Sequence, residues 1–200
     1  MQDFQFSAAE RSVLSDAAFF RHKASADAKV QTLLHALRNR LQALPTYDMP
    51  PELLERPGRT FRGENYKGLP WRAFDWPRHS AGQDLFIFRG LLLWGEHFSF
   101  HLLLQGAWLP RLARRIVDHQ EILADLGFRR SHQSSLWEWE FDASTHSSLI
   151  DVDGDAILAD IGARGLLKLS VRIPLSQLET VPERGAALWA ALCPMMFTPF

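Results

Sequence analysis

The feature that most constrains the fold is the alternating stretch 84–105, which predicts a β-hairpin. Two strands, Asp84 to Trp94 and His97 to Gln105, flank Gly95-Glu96, a Gly-X pair that suits a two-residue type II′ turn. Leucine and phenylalanine are frequent on both faces of these strands. Both faces are therefore expected to be at least partly covered by other elements.

The two-residue turn fixes a register, and that register sorts the polar residues of the hairpin. It pairs Trp94 with His97 and places Arg89 in the middle of an almost wholly apolar face. The other face then carries His97, Ser99 and His101. We expect a ligand first on the face that carries His97, Ser99 and His101.

Arg89 needs a partner, because an unpaired buried charge costs several kcal/mol. Asp75 is the nearest carboxylate by topology, on a strand predicted at 70–76, and Glu64 is the second choice. A structural ion pair between that strand and the hairpin is one interpretation. An anion clamp for a carboxylate or phosphate is the other.

Helices are predicted at the N-terminus. Ser7 and Glu10 have the spacing of a capping box that starts a helix to about His22. A second helix is predicted from about Ala26 to Leu44, followed by a proline-rich connector at 45–58. Its apolar face consists of Val30, Leu33, Leu34, Leu37, Leu41 and Leu44.

The remaining patterns predict a single α+β domain with an antiparallel sheet of about five or six strands. Its parts are a helical N-terminal pair at 1–44, the connector at 45–58, and a sheet with packed helices at 59–200. Strands 136–141 and 167–173 are predicted to be antiparallel neighbours, with Lys168, Ser170 and Arg172 facing outward. Further helices are predicted at 110–126, across most of 144–163, and at 182–193.

Composition excludes several classes of function. The net charge of −1 gives no global electrostatic case for binding nucleic acid or an anionic membrane. The single cysteine, Cys193, cannot form an internal disulfide or a cysteine-based zinc site. The first residues lack the pattern of a signal peptide and no apolar run is long enough to span a membrane, so a cytoplasmic protein is expected. No metal and no cofactor are predicted.

Candidate ligand-binding residues concentrate in 62–101, where charges alternate with aromatic residues. We expect a non-catalytic binding or interaction protein that uses this surface. One alternative is a small-molecule binder for an anion, or an enzyme, with a pocket at Glu64, Asp75, Arg78, Arg89 and His97. Another is a homodimer or a subunit of a larger assembly, with the apolar C-terminal tail as contact surface. The candidate site residues are Arg62, Glu64, Asn65, Tyr66, Trp71, Asp75, Arg78, Arg89, Trp94, His97, Ser99 and His101.

The segment RGENYKGLPWRAFDWPR, with the downstream Arg89 and WGEHFS, resembles a group of bacterial hypothetical proteins. That group shares an R-G-E-N-Y-x-G-L-P core, a D-[YW]-P-R motif and a W-G-x-x-F-S block. Matching positions here are Arg62–Tyr66, Gly68–Trp71, Asp75–Arg78, Arg89, Trp94-Gly95 and Phe98-Ser99. The resemblance covers about 40 residues; it implies that the segment is a unit and implies no activity.

Overall fold

A computed structural model describes residues 4–198, which are built on an open sheet of seven antiparallel strands. The strands are β1 (Arg59–Tyr66), β2 (Leu69–Ala81), β3 (Asp84–Leu93), β4 (His97–Gln105), β5 (Arg129–Ser131), β6 (His146–Ser147) and β7 (Leu166–Ile173). They lie in the order β1-β2-β3-β4-β7-β5-β6. The predicted α+β class is confirmed, with slightly more strands than the predicted five or six.

The described residues also form seven α-helices and one 3₁₀ helix, Leu175–Thr180. The α-helices are α1 (Ala8–Ser15), α2 (Ala17–Gln42), α3 (Pro51–Leu54), α4 (Trp108–Val117), α5 (Gln120–Asp125), α6 (Gly154–Arg164) and α7 (Val181–Phe197). Within residues 4–198, no helix combines the length and apolarity that crossing a membrane requires.

The two faces of the sheet are covered differently. Helices α2, α4 and α7 pack on one face, where Phe88, Phe100 and Trp189 lie in the larger hydrophobic core. The opposite face carries a smaller cluster that includes Leu91, Leu103 and Trp139, and a loop rather than a helix supplies part of its cover. We call this second side the loop-covered face.

The N-terminal helices begin as predicted but divide at a different residue. Ser7 and Glu10 form the capping box, with Ser7 N to Glu10 Oε2 at 2.6 Å and Glu10 N to Ser7 Oγ at 3.2 Å. The break falls at Asp16, whose carboxylate accepts from Phe19 N and caps α2, so the prediction of a first helix to His22 is wrong. The predicted apolar face is confirmed, with Val30, Leu34, Leu37 and Leu41 buried.

The hairpin register differs from the prediction by one residue. Leu93 pairs with His97 across a three-residue turn, and Arg89 pairs with His101. Gly95, in the middle of that turn, has φ of 81°, a conformation that favours glycine. Because a shift of one residue moves side chains to the other face, Arg89 lies on the same face as His97, Ser99 and His101. The predicted separation of these residues is wrong.

The predicted strand at 136–141 is also wrong. Those residues belong to the loop that covers the sheet, and the neighbours of β7 are β4 and β5. That loop buries Lys168 and Ser170, which were expected to face outward, and leaves Arg172 exposed.

The bounds of several other helices and strands also differ from the prediction. The predicted helix at 110–126 is divided between α4 and α5, and 144–163 contains β6 as well as α6. The C-terminal helix continues to Phe197, which is buried with Met196 in the core, so this part of the tail is not contact surface. Pro199 and Phe200 lie outside the described residues.

Candidate functional site

A row of polar side chains crosses the loop-covered face. It follows from the strand register, in which each member is the direct partner of the next. Alternation along each strand puts all members on one face. From β1 through β2, β3, β4 and β7 to β5 the row is Arg59, Asp75, Arg89, His101, Ser170 and Arg129.

Asp75 and Arg89 form a bidentate ion pair at the centre of the row. Arg89 Nε donates to Asp75 Oδ1 at 2.6 Å, and Nη2 donates to Oδ2 at 2.8 Å. Asp75 is 0% exposed and Arg89 is 6% exposed. The predicted partner of Arg89 is confirmed. Nε and one N–H of Nη2 hold the carboxylate, so both N–H groups of Nη1 and the second N–H of Nη2 are the remaining donors of this guanidinium.

A β-bulge brings Arg78 to the same site. Residues three apart on a regular strand point to opposite faces, but the register of β2 against β3 shifts between Asp75 and Arg78. Arg78 pairs with Ile87, two residues from Arg89, and so faces the cavity side. Its Nε lies 3.8 Å from Asp75 Oδ2. This Nε is buried and has no hydrogen-bond partner in the part of the chain that the structure describes.

Aromatic rings surround the arginines. The guanidinium carbon of Arg89 lies 5.1 Å from the Trp137 ring, 5.2 Å from the Trp139 ring and 5.7 Å from the Phe61 ring. The Phe61 ring is also approached by Arg59 at 4.8 Å and by Arg78 at 5.7 Å. These are cation–π distances, and the rings limit the access of water to the charges.

These groups enclose a half-open cavity of about 410 Å³. A volume of this size is that of a small-molecule site. Its walls are aromatic and aliphatic, and its polar groups converge from three strands. The lining residues are Phe61, Asn65, Tyr66, Trp71, Asp75, Arg78, Ser80, Leu85, Ile87, Arg89, Trp137 and Trp139.

The cavity carries excess positive charge. Two guanidinium groups, those of Arg78 and Arg89, line the cavity, while Asp75 is the carboxylate among the lining residues. The exposed Arg59 lies outside the lining and approaches the Phe61 ring as well. Among residues 4–198, no ion pair of Arg59 is present. An anion placed between Arg78 and Arg89 would offset this excess and would satisfy donors that the protein leaves open.

A second carboxylate near the mouth is already neutralised. Glu140 is paired with Lys67 and accepts from the Tyr66 hydroxyl at 2.8 Å, while that hydroxyl accepts from Trp139 N at 2.8 Å. Burial raises the pKa of Tyr66 to about 12, so the phenol stays protonated. Through these hydrogen bonds, Tyr66 holds the loop with Trp137 and Trp139 over the cavity.

A chain of hydrogen bonds that is closed to solvent lies beneath the cavity. Ser99 Oγ lies 2.7 Å from His101 Nε2, and His101 Nδ1 lies 2.8 Å from Ser170 Oγ. All three residues are at most 1% exposed, and the Trp139 ring lies 5.2 Å from the imidazole. Burial, followed by the charges of Lys168 and Arg89, lowers the pKa of His101 well below its ordinary value. A substrate has no route to either hydroxyl, so this Ser–His pair is structural.

Two more histidines and a lysine extend this buried layer. Burial, with a smaller effect of Arg172, lowers the pKa of His97 to about 4, and burial lowers the pKa of His146 to about 3. Lys168 lies under the Trp139 ring and bonds to Gln133 Oε1 at 3.0 Å and to the Glu138 carbonyl; burial lowers its pKa to about 7. The histidines are therefore neutral at neutral pH.

The structure brings together some of the predicted site residues and separates others. Asn65, Tyr66, Trp71, Asp75, Arg78 and Arg89 line the cavity. His97, Ser99 and His101 are buried beside or below it. Glu64 is paired with Lys23 at 3.2 Å and, with Arg62, lines a smaller cleft beside α2. Trp94 lies on the helix side.

Sequence reasoning missed the cover of the cavity. Trp137 and Trp139 belong to the predicted strand at 136–141, and Phe61 was assigned no role. The signal for the bulge was present, because Pro77 follows Trp76 and a proline inside a strand marks an edge or a bulge. No comparable signal identifies Trp137 as a residue that packs on Arg89.

No group of three or more potential ligands for a metal ion occurs within residues 4–198. No family model matches the chain, and no curated protein matches it significantly.

Proposed function

We propose that the protein is a non-catalytic binding protein for a small organic anion with a flat aromatic or heterocyclic part. Its carboxylate or phosphate would lie between Arg78 and Arg89, and its ring among Phe61, Trp71 and Trp137. The observation that carries the proposal is the excess of guanidinium groups in an aromatic cavity, with a buried Arg78 Nε lacking a partner. Planar guanidinium groups bind carboxylate and phosphate with directional hydrogen bonds.

The other interpretations of 62–101 have less support. A protein-binding surface needs exposed apolar groups, whereas 72–77 and 85–93 are buried. A serine hydrolase needs an accessible hydroxyl as its nucleophile, and Ser99 is 0% exposed. The proposed location remains the cytoplasm, where a free thiol such as that of Cys193 persists.

Membership of the bacterial family is part of the proposal. Six of the cavity's lining residues lie within the motif that carries the resemblance: Asn65, Tyr66, Trp71, Asp75, Arg78 and Arg89. A shared cavity would explain why these residues occur together in one stretch.

The test is a titration with phenyl phosphate and benzoate, with benzyl alcohol as the neutral comparison. Trp137 and Trp139 line the cavity, so binding of the anions should change tryptophan fluorescence. Arg78→Gln should weaken anion binding about 10- to 100-fold, as expected for a charged hydrogen bond of about 1.5–3 kcal/mol.

The matched control is Arg111→Gln, which removes an arginine on α4 that lies 3.7 Å from Glu52 and does not line the cavity. This variant should bind like the wild type. Equal binding of benzyl alcohol and the anions, or an unchanged affinity in Arg78→Gln, would refute the proposal.

A further inference from the structure

The charge of the cavity limits the charge of a ligand that can bind there. Among the described residues that line the cavity, three carry a formal charge: Arg78, Arg89 and Asp75. Two cations and one anion leave a net charge of +1. Tyr66 adds no charge, because burial raises its pKa to about 12 and the phenol stays protonated.

The charges just outside the lining change this value little. Lys67 and Glu140 form an ion pair with each other near the mouth. Arg59 is exposed to water, which screens its charge, and the half-buried Glu138 has the opposite sign. Lys168 is mostly neutral at pH 8, because burial lowers its pKa to about 7. An anion in the cavity therefore meets close to one positive charge.

An anion bound to the arginines lies near the Asp75 carboxylate. Arg78 Nε is 3.8 Å from Asp75 Oδ2, and Arg89 Nη2 donates to the same oxygen at 2.8 Å. A ligand oxygen that accepts from Arg78 Nε at about 2.9 Å therefore lies within about 7 Å of Oδ2. Asp75 is 0% exposed, so water and salt screen the repulsion between it and the ligand only weakly.

A second negative charge on the ligand raises the desolvation penalty more steeply than the attraction. Attraction to a fixed protein charge is proportional to the charge of the ligand, so it doubles from a monoanion to a dianion. The desolvation penalty of an ion is proportional to the square of its charge, so it increases fourfold. This penalty applies here, because Arg78 Nε is buried and aromatic rings cover both guanidinium groups. A monoanion brings the cavity to neutrality, whereas a dianion leaves it with an excess negative charge.

We propose that the ligand is a singly charged aromatic anion, of which an aromatic monocarboxylate is the simplest, and that Asp75 excludes doubly charged anions such as phosphate monoesters. This proposal rests on the anion-binding function and narrows it to one class of ligand. A carboxylate has two oxygens, one for each arginine. Asp75 has two roles in this site: it orients Arg89 through two hydrogen bonds, and it limits the net charge of the lining to +1.

The experiment compares three phenyl ligands with the full chain at pH 8 by isothermal titration calorimetry. Benzoate and phenyl sulfate carry one negative charge, and phenyl phosphate carries two, because its second pKa is about 6. Phenyl sulfate has the tetrahedral shape of phenyl phosphate, so these two ligands differ mainly in charge. Benzoate and phenyl sulfate should each bind at least about tenfold more tightly than phenyl phosphate.

Asp75→Asn tests the role of Asp75 directly. The amide keeps the size of the side chain and an oxygen for Arg89, but it leaves two unopposed positive charges in the lining. The preference for the singly charged ligands should therefore fall at least about tenfold.

Ser80→Lys tests the same point without changing the buried pair. Ser80 lines the cavity and is exposed, so this variant should fold even where Asp75→Asn does not. The added cation should raise the affinity for phenyl phosphate about two- to fivefold more than the affinity for benzoate. The matched control is Ser12→Lys, which places the same cation at an exposed residue of α1 outside the lining. Its ratio of affinities should be that of the wild type.

Three results would overturn this proposal and leave the anion-binding function standing. Phenyl phosphate would bind as tightly as benzoate, or phenyl sulfate would bind as weakly as phenyl phosphate, or Ser80→Lys would leave the ratio of affinities unchanged. In each case the net charge of the lining would not select the ligand. If none of the three ligands binds to the wild type, the anion-binding function itself is wrong, and the narrower proposal fails with it.

Discussion

The ion pair between Asp75 and Arg89 gives the sharpest test of the core of the site. Arg89→Ala leaves a carboxylate that is 0% exposed, after the loss of two hydrogen bonds of 2.6 and 2.8 Å. Arg78 cannot replace them, since its Nε lies 3.8 Å away. Removing one partner of a buried pair costs about 3–5 kcal/mol. For a chain of 200 residues this is a fall in unfolding temperature of roughly 6–20 °C.

The assay is equilibrium unfolding in urea, followed by tryptophan fluorescence and circular dichroism. Arg72→Ala is the comparison, because Arg72 also forms a bidentate pair on β2, but its partner Asp27 is 29% exposed on its side chain. Water can solvate Asp27 when Arg72 is removed, so the loss should be less than half of that for Arg89→Ala.

The double variant Asp75→Leu/Arg89→Leu separates the cost of leaving Asp75 unpaired from the net contribution of the ion pair to stability. It removes both charges and leaves apolar groups of similar size, so its stability should lie within about 1 kcal/mol of the wild type. A loss below about 1 kcal/mol in Arg89→Ala, with native circular dichroism, would refute the reasoning. It would mean that water or Arg78 satisfies Asp75.

Three further predictions concern the rest of the fold. The free energy of unfolding should decrease as the pH falls below about 6.5. The reason is that His97 and His146 have pKa values of about 4 and 3 in the folded protein, so they take up protons more readily in the unfolded chain. The free energy of unfolding measured in urea should differ between pH 8 and pH 5 by about 2 kcal/mol for each histidine. Lys168 should make stability change with pH in the same direction. Its pKa is lowered to about 7 in the folded protein, so the free energy of unfolding should rise between pH 7 and pH 10.5, and Lys168→Met should remove that rise. Gly185→Ala should destabilise by about 1–3 kcal/mol, since its Cβ would lie 2.4 Å from Leu37 Cδ1, whereas Gly162→Ala, in open space on α6, should stabilise by up to about 1 kcal/mol; the two unfolding temperatures should therefore move in opposite directions.

The sequence was sufficient for those parts of the fold that depend on local chemistry. The capping box at Ser7, the apolar face of α2 and the extent of the two hairpin strands follow from short-range patterns. The partner of Arg89 was predicted correctly although the hairpin register was not. The reason is that Asp75 and Arg89 meet through the pairing of β2 with β3, which the turn at Gly95 does not affect.

The parts that failed depend on a single residue of register or on tertiary cover. Gly95-Glu96 is compatible with turns of two or three residues, and the choice decides which face Arg89 occupies. The alternation of LWEWEF is typical of a strand, but those residues pack as a loop because Trp139 and Leu136 find apolar contacts over the sheet. The prediction that Lys168 faces solvent failed because it did not include this loop, which is the element that buries the side chain.

The same geometry supports the proposal that the cavity binds an anion. Asp75 holds Arg89 in place but, as the carboxylate among the lining residues, cannot neutralise Arg78 as well. A fold selected only for stability would gain from a second carboxylate, because like charges in an aromatic setting repel. The bulge in β2 does the opposite, since it turns Arg78 toward the pair. An anion that completes the set would therefore stabilise the folded state by its own binding free energy, about 2.7 kcal/mol at a concentration of 100 times its Kd.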